Sequence, residues 1–374
     1  MKRPIWCIKH HVKLCASSTV SSAFTIVELL VVIVVIAILA VISIVSYTGI
    51  SQQAVTASLQ ADLSNAATAI KAFQVENGNF PATISTNCSS NPDTATNKCI
   101  RPSGSNTYVG YSADNQSSPK TFLLVASNGS TAYRVTDNSA PTQLAQTMQP
   151  GVTPGATIEL HAAKANGGVS QGINSPLTTT WADTSGNGNN GSLQTFAGTA
   201  ASGWTGANSS ADPYRLVPDG SNDYVTLTSP ISLSPDASSI EFWFKVVLGF
   251  SDIAGRSTDT SWFGLDDTSP PRFEVMDGNW NGRYFSLPQN LSAGEIHHIV
   301  VTRSNGTTRL YLNSVESGSG GWSNSYTITV NQLWKWRDGT YGYWGTCPLS
   351  VVRVYPFVLT TAQITANYAA GPNW

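Results

Sequence analysis

The sequence predicts two folded parts: an α+β module with a long N-terminal helix packed on a small antiparallel sheet, and then an all-β jelly-roll sandwich. An apolar run continues into an amphipathic helical pattern, which predicts the long helix. A few β-prone runs follow it, and the remainder holds many short β-like runs between Gly and Asn turns. With 374 residues, the chain is long enough for two domains.

The first element is an apolar run that contains one carboxylate. Residues 24–50 supply the roughly 20 apolar residues that a helix needs to cross a bilayer. Burying the charge of Glu28 near the start of the run costs about 2.5–3.5 kcal/mol on insertion scales, so Glu28 is expected to have a partner. Residues 1–23 carry Lys and Arg but no acid, which predicts that they stay in the cytoplasm. The sequence therefore predicts a single pass of the cytoplasmic membrane, with the later domains outside.

An amphipathic stripe extends the helix beyond the apolar run. Gly78 and Pro81 are expected to end the helix, because Gly takes a left-handed cap and Pro blocks continuation. Since the stripe has one apolar face, it is expected to lie against a sheet. Its apolar residues recur at spacings of three and four: Val55, Leu59, Leu63, Ala66, Ile70 and Phe73.

The junction "AFTIVELL" resembles the processing site of type IV prepilins, with a small residue, a Phe at the new N-terminus and a Glu shortly after it. The resemblance implies cleavage of the 1–23 leader after Ala23 by a prepilin peptidase and methylation of the Phe24 amine. It implies that Glu28 pairs with the N-terminus of a neighbouring pilin subunit and sets the register of a filament. It also implies residence in membrane lipid before an inner-membrane platform assembles the subunits. The family usually has Gly at the position of Ala23, so this sequence departs from the pattern there.

The β-prone runs between the long helix and the prolines predict a small antiparallel sheet, with its clearest hairpin at Asn128-Gly129. A helix, a loop and strands in this order resemble the type IV pilin and pseudopilin fold. The resemblance implies a pilin globular module over residues 51–140. Residues 141–154 contain several prolines and predict a linker.

The short β-like runs of residues 155–374 predict a sandwich or jelly roll. Four stretches, in order, resemble parts of the laminin G-like, concanavalin A-like jelly rolls: an early loop, a strand entry, a central hairpin, and a closing strand with a short helix. They are "TTTWADTSGNGNNGSL", "LVPDGSNDYVTL", "EIHHIVVTRSNGTTRLYLNS" and "SVVRVYPFVLTTAQITANYAAG".

Two cysteines in the predicted sheet module bracket a short loop. Outside the cytoplasm, Cys88 and Cys99 are expected to form a disulfide, and a metal site is the alternative. No His or second Cys pair lies near them in the sequence, which favours the disulfide. Cys347 is then left over and is expected to be a small buried hydrophobic residue.

The segment "QLWKWRDGTYGYWG" concentrates aromatic residues in the predicted jelly roll. Trp334, Trp336 and Tyr343, together with Trp262 and Trp280, are candidates for a platform that stacks on sugar rings. The alternative is that these aromatic residues fill the interior of the sandwich. Both Trp334 and Trp336 lie on one face if the segment is a strand.

A Gly- and Asn-rich loop offers candidate ligands for Ca²⁺. Asp183 and Asn187 carry oxygens of the kind that Ca²⁺ prefers, and the alternative is that they hydrogen-bond the backbone of their own turn. His297 and His298 are adjacent in a predicted strand and point to opposite faces, so they are not expected to bind one ion together. We expect one of them to be packed and the other exposed.

No catalytic pattern emerges from the sequence. Glycosidases place two carboxylates at one scissile bond, whereas "FEVMDGNW" puts Glu274 and Asp277 on opposite faces of a predicted strand. We therefore predict that the chain is not an enzyme. The formal net charge is −2 and 11% of the residues are charged, which is not the profile of a basic nucleic-acid-binding surface.

These features predict a type IV pilin-like subunit, minor or tip rather than major, of a bacterial surface filament. Its lectin-like domain would adhere to glycans or cell-surface proteins. The alternative in the same class is a pseudopilin of a type II secretion or competence apparatus, in which the jelly roll docks a partner. A membrane-anchored glycan-degrading enzyme is a hypothesis of another class, and it is disfavoured because it needs a carboxylate pair.

Overall fold

The structure is a computed structural model, and it describes residues 26–115, 118–129, 131–144, 152–165, 179–266, 268, 271–287, 291–317, 322–323, 326–336 and 344–373. The chain divides into two compact units, one ending at Ala54 and the other beginning at Val55. Ala23 and Phe24 lie outside the described residues, and so does the side chain of Glu28. The processing and assembly roles of these three residues stay predictions.

The first unit consists of the front part of helix α1 (Ile26–Asn77). From Ile26 to Ile42 its large apolar side chains are exposed. In the part of the chain that the structure describes, no helix has both the length and the apolar character needed to cross a membrane. The single-pass location predicted from residues 24–50 is therefore wrong.

The rear part of α1 belongs to the second unit and buries one apolar stripe, as its spacing predicted. Leu59 and Ile70 are fully buried and share a cluster with Leu124 of the small sheet. The helix ends where the sequence predicted, because Gly78 adopts a left-handed φ of 76° that Gly tolerates without strain.

The strands that follow α1 are β1 (Thr83–Ser85), β2 (Asn97–Cys99), β3 (Thr107–Asp114), β4 (Thr121–Asn128), β5 (Thr131–Thr136) and β6 (Ser139–Gln143). β1 and β2 pair in parallel, and the other strands form an antiparallel sheet in the order β3-β4-β5-β6. The predicted disulfide between Cys88 and Cys99 is confirmed, with 5.4 Å between the two Cα atoms. β6 includes the first residues of the predicted linker.

The remaining elements belong to the jelly roll. In chain order they are β7 (Ile158–His161), the 3₁₀ helix Ala162–Lys164, β8 (Thr180–Trp181), β9 (Gly191–Gln194), β10 (Gly203–Thr205), β11 (Arg215–Val217), β12 (Tyr224–Leu233), β13 (Ala237–Lys245), β14 (Ser251–Gly255), β15 (Trp262–Leu265), β16 (Arg272–Met276), β17 (Gly282–Ser286), β18 (Ile296–Ser304), β19 (Thr307–Leu312), β20 (Val315–Glu316), β21 (Trp322–Ser323), β22 (Ile328–Leu333), β23 (Leu349–Tyr355) and α2 (Thr361–Ala370).

Among the described residues, these strands form two sheets. A nine-stranded sheet has the order β10-β11-β23-β13-β18-β19-β20, with β7 paired to β23 and β21 to β19. An eight-stranded sheet has the order β17-β16-β15-β14-β22-β12-β9-β8. Alternate side chains of both sheets meet in one apolar core, for example Phe242 of β13 and Phe273 of β16. This architecture confirms the predicted jelly-roll sandwich.

The outer face of the nine-stranded sheet is covered by other parts of the second unit. Val300 and Tyr355 of this face share an apolar cluster with Ile364 of α2 and Val125 of β4. The contact is close at Gly110 of β3, where an added Cβ would lie 2.3 Å from the Phe357 ring. The small sheet therefore packs on α1 with one side and on the jelly roll with the other. We call this outer surface the covered face.

Candidate ligand-binding face

The outer face of the eight-stranded sheet carries aromatic and acidic side chains in register. The strand pairing places Asp252, Gly264, Glu274 and Tyr284 opposite one another on β14, β15, β16 and β17. Directly opposed residues of antiparallel strands share a face, so this row lies on the side away from the core. The neighbouring row contains Gly255, Trp262, Met276 and Gly282. We call this surface the aromatic face.

Four aromatic rings follow one another across this region. Phe250 and Trp262 have ring centroids 5.3 Å apart, Trp262 and Trp336 are 6.2 Å apart, and Trp336 and Trp280 are 5.8 Å apart. Trp262 and Trp336 are buried, whereas Trp280 is 61% exposed. The series therefore runs from the sheet surface to a ring that faces solvent.

Trp280 is held in place by its hairpin. It adopts a left-handed backbone conformation, with a φ of 62° that is unfavourable for a bulky residue. Its backbone N–H donates to the Thr260 hydroxyl at 3.1 Å, and that hydroxyl donates to the carbonyl of Asp277 at 2.7 Å. The Asp277 carboxylate accepts the backbone N–H groups of Asn279 and Asn281. These bonds fix the turn, so the exposed ring has a defined position before any ligand arrives.

Two carboxylates of the aromatic face are buried with unsatisfied oxygens. Asp252 is 0% exposed and Glu274 is 3% exposed. Within the described residues, both carboxylate oxygens of Asp252 and Oε1 of Glu274 have no hydrogen-bond partner. Burial, followed by the negative charge of Glu274, raises the pKa of Asp252 to about 7. Burial also raises the pKa of Glu274 to about 7, against a hydrogen bond from Tyr284 that lowers it.

A charged cluster borders this pair at the sheet edge. The Arg272 guanidinium donates to Oδ2 of Asp266 through Nε at 2.7 Å and Nη2 at 2.6 Å. The same guanidinium lies 4.2 Å from the ring centroid of Tyr284. Arg272 is thus engaged by a carboxylate and a ring, and its charge also acts to lower the pKa of Glu274.

The structure separates the tryptophans that the sequence placed together. β22 ends at Leu333, and Trp334 takes a left-handed φ of 62°, which breaks the strand alternation. Trp334 is 0% exposed, stacks on Trp181 and donates its indole N–H to the carbonyl of Cys347 at 2.8 Å. Trp336 instead joins the aromatic face. Trp334 is thus a core residue, which corrects its predicted place on a shared surface with Trp336.

Tyr343 lies outside the described residues, so its predicted contact with a sugar stays a prediction. Cys347 is free and buried in the core, as expected.

The side chains of the predicted calcium loop form hydrogen bonds with other groups of the protein. The Asp183 carboxylate accepts the backbone N–H groups of Glu159, Ser185 and Asn189 at 2.8–2.9 Å, and also the Ser185 hydroxyl at 2.8 Å. The side-chain amide of Asn187 donates to the carbonyl of Thr157 at 3.1 Å. These contacts favour the turn interpretation over calcium coordination, because the carboxylate is already hydrogen-bonded on both oxygens.

Neither histidine of "EIHHIVV" is exposed, which corrects the expected split. His297 bonds to Glu295 at 3.1 Å and His298 lies 3.4 Å from Glu241. They have different partners on different sides of β18, in agreement with the predicted alternation. Across the described ranges, no group of three or more His, Cys, Asp or Glu residues has a metal-holding arrangement.

Sequence reasoning missed Asp252, and it placed Asp277 incorrectly. β16 ends at Met276, so Asp277 belongs to a turn rather than to the strand that carries Glu274. The alternation in "RFEVM" already indicated that Arg272 and Glu274 share the face opposite Phe273. The partner carboxylate on β14 could not be found in this way, because it depends on the pairing of three separate strands.

Comparison with known proteins identifies the domain. Residues 219–365 match the family model Laminin_G_3, described as the Concanavalin A-like lectin/glucanases superfamily. The chain therefore contains a concanavalin A-like jelly-roll domain, as the four sequence stretches predicted. No curated protein matches the chain.

Solved structures with similar folds are distant. Domain 4 of AbnA, a GH43 extracellular arabinanase from Geobacillus stearothermophilus, in complex with arabinotriose, is 16% identical, with a TM-score of 0.40, 57% of this chain covered and 98% of that chain. The botulinum neurotoxin serotype G binding domain is 14% identical, with a TM-score of 0.39, 57% of this chain covered and 50% of that chain. The Trypanosoma rangeli sialidase is 10% identical, with a TM-score of 0.41, 72% of this chain covered and 46% of that chain. Similarity at this level carries no argument about ligand or activity.

Proposed function

We propose that the chain is a lectin-like binding protein whose aromatic face binds glycans through Trp280, with Trp336 supporting that ring. One observation carries this proposal: an exposed tryptophan is fixed in a left-handed turn and braced by a second indole. An exposed indole stacks well on the C–H groups of a sugar ring. A ring that is already fixed loses little conformational freedom on binding, so more of the contact energy remains as affinity.

The backbone strain at Trp280 supports a binding role over a packing role. A bulky residue in the left-handed region costs about 1–3 kcal/mol, and such residues cluster at ligand sites. Burial of the ring does not offset that cost, since most of the ring faces solvent. Trp334 has the same backbone conformation but lies in the core, where burial and an indole hydrogen bond stabilise it. These two tryptophans form a matched pair for an experiment.

The test is a glycan-array measurement with the full chain. The glycan that binds best is then titrated into the wild type and the Trp280 variants. We expect Trp280→Ala to weaken binding at least tenfold with an unchanged melting temperature, and Trp280→Phe to restore much of it. Trp334→Ala should destabilise the fold by about 3–5 kcal/mol, because it leaves a large cavity. If Trp280→Ala binds the glycan as well as the wild type, or if no glycan binds, the proposal is wrong. That this chain is not an enzyme stays a prediction.

A second observation favours a role in assembly. Most large side chains from Ile26 to Ile42 are apolar and exposed around the whole front of α1. A helix that is apolar all round is normally buried against other elements. We propose that this segment packs against the same segment of other copies, as in a pilin-like subunit. A pilin-like filament subunit would then display the lectin-like domain on each copy.

Analytical ultracentrifugation of the full chain tests the assembly proposal. The wild type should sediment as large assemblies, and Ile36→Asp should shift it to monomers, because a buried unpaired carboxylate opposes packing. Val75→Asp is the control, since Val75 is an exposed apolar residue near the other end of α1. A monomeric wild type, or an equal effect of both variants, would contradict the proposal.

A further inference from the structure

The aromatic face combines rings with two buried carboxylates, and both oxygens of Asp252 and Oε1 of Glu274 have no hydrogen-bond partner within the described residues. Glu274 Oε1 lies next to the sheet edge, because a Cβ added at the exposed Gly282 would lie 3.0 Å from it. Gly282 belongs to β17, the edge strand of the sheet. The absence of a side chain there leaves Glu274 Oε1 uncrowded on the side of this edge strand.

The second carboxylate and an indole ring lie beside Glu274 on the same face. Asp252 occupies the same row as Glu274, with Gly264 between them. The Trp262 ring lies over that glycine, since a Cβ at Gly264 would be 1.9 Å from Cζ3. An aromatic ring beside two carboxylates is the combination that attracts a cation by both its π face and its charge partners.

From this arrangement we propose that the aromatic face prefers an amino sugar, whose ammonium group is accepted by Glu274 with Asp252 as the second negative group. The proposal rests on glycan binding at Trp280 and names the sugar class. A neutral sugar would stack on the indoles and donate hydroxyl hydrogen bonds to the carboxylates, but it would bring no positive charge. An ammonium group supplies the hydrogen-bond donors and the positive charge that the carboxylates lack.

The chain already holds one ammonium group on aromatic rings of this sheet. Lys335 Nζ lies 4.2 Å from the ring centroid of Tyr224 and 5.4 Å from that of Trp344. This lysine is engaged at its own site, and Arg272 is engaged by Asp266 and Tyr284. Neither cation is paired with Asp252 or Glu274 among the described residues.

Proton release provides a signature that simple stacking would not give. Both carboxylates have a pKa of about 7, so near pH 6 most of them carry a proton. Binding an ammonium group favours the charged carboxylate and should release a proton to the buffer. The other charged or titratable groups near Glu274 are Asp266, Arg272 and Tyr284, and the first two form an ion pair that persists at this pH.

Isothermal titration of the full chain with a glucosamine trimer and an N-acetylglucosamine trimer tests the proposal. At about pH 6, in two buffers of different ionisation enthalpy, the wild type should bind the glucosamine trimer at least tenfold more tightly and release protons. Glu274→Gln should abolish both the preference and the proton release while retaining the weaker binding of the N-acetylated trimer. Glu316→Gln, which removes a charge paired with Arg309 on the other sheet, should change neither.

The outcomes separate the inference from the proposed function. If Trp280→Ala weakens binding of both trimers but the wild type binds them equally, only the amino-sugar inference is overturned. If Trp280→Ala changes neither affinity, or neither trimer binds, glycan binding at this face fails as well. Gly282→Ala is an independent variant, and it should reduce the glucosamine preference by crowding Glu274 Oε1 without removing a charge.

Discussion

The covered face and the aromatic face both bury carboxylates, but the two faces differ in the hydrogen-bond partners that these carboxylates have. On the covered face, Arg353 donates to Glu159 through Nε and to Glu241 through Nη1, each at 2.6 Å. The amide of Asn367 in α2 also donates to Glu241 at 2.8 Å. On the aromatic face, both oxygens of Asp252 and Oε1 of Glu274 have no hydrogen-bond partner within the described residues.

This difference shows how a structural charge network can be distinguished from a candidate site. A buried carboxylate that is fully paired and hydrogen-bonded has no capacity left for a ligand. A buried carboxylate whose oxygens lack hydrogen bonds lowers the stability of the free protein. This cost is explained if a ligand supplies the missing hydrogen bonds. The covered face therefore holds the fold together, and the aromatic face is the place to test for binding.

The largest expected effect comes from breaking the paired network. Arg353→Met leaves Glu159 and Glu241 buried without their cation, which should cost about 3–5 kcal/mol of unfolding free energy. Urea denaturation measures the change. Arg309→Met is the matched control on the same sheet, because the Arg309–Glu316 pair is exposed and should contribute about 0–1 kcal/mol. Equal losses in the two variants would show that the covered face is not a cooperative network.

One carboxylate of each face, Asp252 and Glu241, should respond to pH in opposite directions. Asp252 has a folded-state pKa of about 7 against an ordinary value of 3.8, so the folded protein holds its proton more tightly than the unfolded chain. Stability from this group is complete below about pH 4 and is lost as the pH rises to about 7. We expect a loss of a few kcal/mol across this window. Asp252→Asn should reduce this loss, and Glu274, whose pKa burial also raises to about 7, accounts for the part that remains.

Glu241 provides the contrast. Burial is the largest single influence and would raise its pKa, but the charges and hydrogen bonds of Arg353 and His298 together outweigh burial and lower the pKa to about 2 from 4.5. Its contribution is therefore present above about pH 4.5 and is lost as the pH falls towards 2. Denaturation curves for the wild type and Asp252→Asn between about pH 4 and 7 isolate the aromatic face, because Glu241 stays ionised over most of that range. A pH dependence in Asp252→Asn as large as that of the wild type would contradict the assignment.

Much of the fold was predictable because local patterns determine it. Apolar spacing fixed the buried stripe of α1, Asn128-Gly129 marked the hairpin, and the short loop fixed the disulfide between Cys88 and Cys99. The site was less predictable for two physical reasons. The first reason is the left-handed backbone conformation of Trp334. It changes the side of the sheet to which the following side chains point, and the alternation of side chains along a strand does not predict such a change.

The second reason is that both faces depend on long-range pairing. Glu159, Arg353 and Glu241 come from three strands that are far apart in the sequence, and each alone resembles an ordinary charged surface residue. Their burial follows from α2 and the small sheet lying over them, and neither contact leaves a local signal in the sequence. The same holds for Asp252 and Glu274 on the aromatic face.

The smallest predicted effect concerns the helix that covers the network. Thr360 is the N-cap of α2: its hydroxyl accepts the N–H of Gln363 at 3.3 Å, and the Gln363 side chain accepts the N–H of Thr360 at 2.8 Å. Thr360→Ala removes this reciprocal cap and should cost about 1 kcal/mol of stability. Thr365→Ala, at an exposed position inside α2, is the control and should be neutral or slightly stabilising, because Ala is the better helix former. If hydrogen exchange at Asn367 is unchanged in Thr360→Ala while global stability falls, the cap does not act through α2, and the covered face is held mainly by its ion pairs.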